Sequence, residues 1–65
     1  MDRIKELRKE NDNLIKLINS TSDDINLLFT LMTDCIKNAK EIASFDNNPD
    51  EAFRVEFKNI SDRIN

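Results

Sequence analysis

A seven-residue apolar repeat limits what this chain can fold into. With Ile4 at heptad position a and Leu7 at position d, and the frame carried forward unadjusted, the a positions are Ile4, Asn11, Ile18, Ile25, Met32 and Ala39. The d positions are Leu7, Leu14, Thr21, Leu28, Cys35 and Ile42. Ten of these twelve are apolar, counting Ala and Cys, whereas a hydrophobic content of 38% would place about four or five there by chance. A seam sustained over nearly six heptads predicts a coiled-coil helix.

One stretch resists that reading. Asn19-Ser20-Thr21-Ser22-Asp23-Asp24 consists of poor helix formers, which together cost about 2 to 4 kcal/mol relative to alanine inside a helix. Propensity marks a boundary there, yet the frame passes through it at Ile18, Thr21, Ile25 and Leu28. Two helices joined by a turn would usually lose this phase. The frame therefore predicts one helix from about Arg3 to about Ser44, with Thr21 as its loosest layer. β-branched residues at a with Leu at d favour two parallel strands. Asn11, at an a position, would pair with its symmetry mate and penalise shifted registers.

The flanking e and g positions change character along the chain. Arg3, Arg8 and Glu10 are charged, but Ile15, Leu17, Phe29, Leu31, Ile36 and Ala43 widen the apolar face beyond an a/d stripe. Two strands alone would leave Phe29, Leu31 and Ile36 wet. The last third supplies a cover. Pro49 would fall at d, where it cannot continue a helix, so the first helix ends near Ser44 to Asp46. Asn48 reads as an N-cap, with Pro49 at the first helical position and Asp50 and Glu51 at the positive end of the helix dipole. Phe53, Phe57, Ile60 and Ile64 then recur on one face.

The expected fold is all-α. A long N-terminal parallel dimeric coiled-coil helix occupies 1–45, and a turn with a fold-back amphipathic helix occupies 46–65. Together they form one dimerisation module with a local four-helix bundle in the dimer. The dimer seam is the a/d set from Ile4 to Ile42. The fold-back helix and a candidate partner groove comprise Phe29, Leu31, Ile36, Phe53, Phe57, Ile60 and Ile64.

Composition supports self-association and little chemistry. Sixty-five residues bury too little surface to be comfortably stable without a staple or a partner chain. One cysteine and no histidine leave no intrachain disulfide and argue against a protein-only zinc site, so no cofactor or metal is expected. A reducing intracellular setting, cytoplasmic or nuclear, fits best. The net charge of -3, with no basic block, argues against nucleic acid as a partner. No apolar run approaches the length of a membrane span, so no membrane partner is expected.

The acid pairs Asp23/Asp24 and Asp50/Glu51 suit helix starts or solvated faces better than acid–base work. Cys35 lacks a histidine to activate it and is expected to be a packing residue. The chain is not expected to be an enzyme. Leu27 and Val55 are left facing outward, as single apolar residues often are.

Phe29 in the broadening coil, "DNNPDEAF" at the turn and the amphipathic helix that follows are similar to the C-terminal dimerisation module of end-binding microtubule proteins. The likeness covers about Asp24 to Ile64, although "NLLFTLM" lacks the three-aromatic run of that family. The resemblance implies a cytoskeletal adaptor whose interhelical groove accepts short peptides. The sequence thus predicts a homodimerisation and protein-interaction module. The competing expectation is a small acidic helical regulator that inhibits or sequesters a target, in which residues 19–24 form a true turn within a three-helix unit.

Overall fold

The computed structural model describes residues 2–65 and holds three helices: α1 (Asp2–Ser20), α2 (Ile25–Ala43) and α3 (Pro49–Arg63). Contacts between distant residues fix their directions. The Arg3 guanidinium at the start of α1 pairs with Glu41 at the end of α2, so these two helices are antiparallel. Arg8 pairs with Glu56, and Arg63 with Asp12, so α3 runs parallel to α1 and returns along α2. The bundle measures 39 × 21 × 17 Å. A continuous helix of about forty residues would be roughly 60 Å long.

The single helix expected over Arg3 to Ser44 is therefore two helices, with the break inside Asn19–Asp24. The cause is local. The Thr21 N–H donates to the Ile18 carbonyl at 3.2 Å, and the Thr21 hydroxyl donates to the Leu17 carbonyl at 2.7 Å, which satisfies the last turn of α1. Asp24 then takes extended backbone angles, and its Oδ1 accepts the Leu27 N–H at 3.0 Å, capping α2. Ser, Thr and Asp favour such side-chain-to-backbone bonds over a helix interior.

The second turn uses the same chemistry. Asp46 Oδ1 accepts the Asn48 N–H at 2.9 Å, and Asn48 caps α3 by accepting the Glu51 N–H at 3.4 Å, with Pro49 in the first turn. No described residue has a positive φ, so a chain without glycine makes both reversals through side-chain caps.

Within the chain, the core departs from the heptad frame. In α1 the buried residues are Leu7, Asn11, Ile15 and Ile18, a face made from a, d and e positions. In α2 they are Leu31, Cys35, Asn38, Ala39, Ile42 and Ala43, a face centred on d and g and joined by Ala39 at a and Ala43 at e. The buried face thus changes sides of the frame at the turn, and only the d positions carry the apparent continuity. Small side chains at Cys35, Ala39 and Ala43 let the helices approach closely. Ile60 of α3 closes the central cluster with Ile15, Ile18, Leu31, Cys35 and Ala39.

Candidate protein-interaction face on α2 and α3

Nine of the twelve seam residues pack inside the chain at least in part. Leu7, Asn11, Ile18, Cys35, Ala39 and Ile42 are buried, while Ile4, Leu14 and Leu28 are half-buried. Thr21 sits in the turn. The two remaining a positions face solvent: Ile25 is 79% exposed and Met32 43%.

These two define a surface. Ile25, Phe29, Met32 and Ile36 recur at spacings of four, three and four, one stripe along α2. Phe29 is 74% exposed, and Ile36 is half-buried. α3 has 15 residues against 19 for α2, and its end is tied to α1, where Asn19 donates to the Arg63 carbonyl at 3.0 Å and accepts the Asn65 N–H at 3.0 Å. Between the two helices, Met32, Ile36, Phe57, Ile60, Ser61 and Ile64 line an open groove of about 260 Å³.

The groove brings together four of the seven residues assigned to the fold-back helix and partner site: Ile36, Phe57, Ile60 and Ile64. Leu31 turns inward and is buried. Phe53 is half-buried and stacks at a tilt on Phe57, with ring centroids 5.9 Å apart, and lines a different hollow beside Pro49 and Lys40. Phe29 lies beyond the groove on the same stripe as Met32.

Sequence reasoning put Phe57 on the core face of α3, but Glu56 occupies that face. Its carboxylate accepts from Arg8 at 2.7 Å, and this partner from α1 permits the burial. Phe57 is displaced to the rim, half exposed. The i, i+3, i+4 apolar pattern could not reveal this, because the pairing depends on a residue 48 positions away.

The buried polar groups are satisfied. Asn38 donates to Asn11 Oδ1 at 3.0 Å and to Glu10 Oε1 at 3.1 Å, and no buried side-chain nitrogen or oxygen among the described residues lacks a partner. Cys35 is fully buried, and burial pushes its thiol pKa up, with the nearby Asp34 carboxylate adding to the shift. It points into the chain's own core.

Asp24 is committed to capping α2, and Asp50 and Glu51 lie in the first turn of α3. Leu27 and Val55 are exposed, and no described helix is long and apolar enough to cross a membrane. Comparison with known protein families, curated proteins and solved structures found no match.

Proposed function

We propose that this chain is a non-enzymatic protein-interaction module that pairs with a second copy of itself through the stripe and groove of α2 and α3. The carrying observation is the exposure of Ile25 and Phe29 in line with Met32, Ile36 and the Phe57 groove. At about 200 Å² per large side chain, the exposed parts of Ile25, Phe29, Met32 and Phe57 amount to roughly 500 Å². That is the upper end of the largest apolar patch of an ordinary monomer, and more than half of one partner's share in a standard interface.

A second copy is the favoured occupant because the chain itself needs one. The buried apolar core of the described residues is small, nine side chains of which three are Cys35, Ala39 and Ala43, and a chain of this length gains stability from a partner. Two copies meeting on this face set α2 and α3 of each side by side. The result is a local four-helix bundle, built from hairpins instead of a parallel rod. The cytoskeletal adaptor role and the intracellular setting belong to this reading as the resemblance and the composition imply them.

Sedimentation equilibrium tests it. The wild type should be dimeric in the micromolar range, and Phe29→Glu should weaken the dimer at least tenfold while leaving the helical circular dichroism intact. A wild type that stays monomeric to several hundred micromolar sinks the proposal. Saturable binding of a short peptide in the groove by a monomeric chain would favour the peptide-accepting role instead.

One observation favours a second reading, the small acidic regulator. That reading requires a true turn at residues 19–24 in a three-helix unit, and the turn is present. A monomer that binds a basic or apolar protein surface through the same stripe would distinguish it.

A further inference from the structure

The two turns differ in one respect. The second contains Pro49 and its Asn48 cap, which cannot be absorbed into a helix interior. The first, Thr21–Asp24, contains neither Pro nor Gly, and the heptad d positions run through it unbroken at Leu14, Thr21, Leu28 and Cys35. It is held by one backbone bond at Thr21, two hydroxyl bonds to Leu17 and the Asp24 cap. The Thr21 and Leu27 N–H groups would instead bond the carbonyls four residues back in a continuous helix, and the Ser20 and Thr21 hydroxyls can bond a carbonyl of the preceding turn there as well. The apolar residues beside this turn are also poorly covered: Leu17 is 51% exposed and Ile25 79%.

We propose that two copies exchange α1 by straightening Thr21–Asp24, forming an antiparallel dimer whose α1 and α2 become one long helix. Because α1 and α2 are antiparallel within the chain, the exchange rebuilds the same contacts between chains. Arg3 meets Glu41 of the other copy, Asn11 meets its Asn38, and Arg8 and Asp12 meet its Glu56 and Arg63. Nothing in the packed core is lost, and the two-fold axis falls near residues 21–24. There Leu17, 51% exposed in the closed hairpin, lies beside the same segment of the other copy. Domain swapping of this kind needs only a hinge with two allowed conformations and preserved contacts.

The inference shares with the proposed function a second copy as partner but uses a different surface, so the two fail separately. The test places Arg3→Cys and Glu41→Cys in a Cys35→Ala background and bridges the introduced thiols with a short bismaleimide. Protein refolded at high concentration is separated into monomer and dimer by gel filtration. On a denaturing gel, the dimer fraction should run as covalent dimer if α1 is exchanged, and as monomer if two closed hairpins merely associate.

Phe29→Glu, added to this background, should still yield covalent dimer, whereas Ser22→Pro should reduce it at least fivefold while the chain remains helical. Ser22→Ala with Asp23→Ala, which favours the helical hinge, should raise it severalfold. Crosslinks confined within chains in the dimer fraction, or no dimer in the doubly alanine-substituted hinge, would overturn the proposal.

Discussion

The amide of Asn38 donates to Oδ1 of Asn11 at 3.0 Å, a buried polar pair that fixes α1 against α2 in one register. The same nitrogen reaches Glu10 at 3.1 Å, so the pair is tied to the surface on one side. Asn38→Leu strands the buried Asn11 amide and should cost about 1 to 3 kcal/mol, Asn11→Leu leaves Asn38 its bond to Glu10 and should cost less, and replacing both should be closer to neutral than the two single costs added. Urea unfolding of the two single variants and the double variant measures this. In a parallel coil Asn11 would pair with its own copy, and the two substitutions would then be independent.

Asp24 separates the turn from a continuous helix by the sign of one effect. As the cap of α2, its Oδ1 holds the Leu27 N–H at 3.0 Å, so Asp24→Ala should destabilise by about 1 kcal/mol. Inside an unbroken helix the same change would be stabilising, because alanine is the better helix former. Thermal unfolding at a concentration where the chain is monomeric reads the sign directly.

Arg3 and Glu41 give a pH signature. The Arg3 hydrogen bond holds the Glu41 carboxyl below its ordinary pKa against the opposing effect of desolvation, with the charges of Arg3 and Lys37 adding to the lowering. A lowered folded pKa adds stability that is fully present above the unfolded carboxylate value and is lost as pH falls through the folded one. Arg3 stays charged throughout. A carbon-detected NMR titration should place the Glu41 midpoint below that of exposed glutamates, and Arg3→Ala should return it to their range. The effect on global stability should be small, since both groups are solvent-exposed.

Cys35 should be slow to react. Its side chain has no exposed surface and its thiol pKa is raised, so little thiolate is present and reagents cannot reach it. Labelling by an aromatic disulfide reagent at neutral pH should follow the opening of the bundle and speed up with urea. Prompt labelling of the native chain would contradict the packing described for α2.

Much of the fold was legible in short-range chemistry. Asn48 before Pro49 marked the start of α3, because a cap and a proline at the first position need only neighbouring residues. The apolar positions also identified most of the residues that are buried. The break at Thr21–Asp24 was visible in propensity, but the heptad frame pointed the other way. Ile15 and Leu31, at e and g, belong to the core, while Ile25 and Met32, at a, do not. A frame drawn on one helix cannot register that the buried face moves when the chain reverses. The groove was partly legible, since Phe57, Ile60 and Ile64 lie on one helix, but Met32 joins them from α2 only in the folded chain.

The sequence alone determined that the chain is helical, where α3 begins, and which side chains seek burial, because propensity, capping and periodicity act over a few residues. It left open what those side chains are buried against. An antiparallel hairpin and a two-chain coil bury nearly the same apolar set, and choosing between them depends on contacts across tens of residues. Arg3 with Glu41, Asn11 with Asn38 and Arg8 with Glu56 supply that choice in the folded chain. Tertiary structure thereby packs most of the expected seam inside the chain and leaves Ile25 and Phe29 at its surface, because burial depends on which helix lies opposite each face.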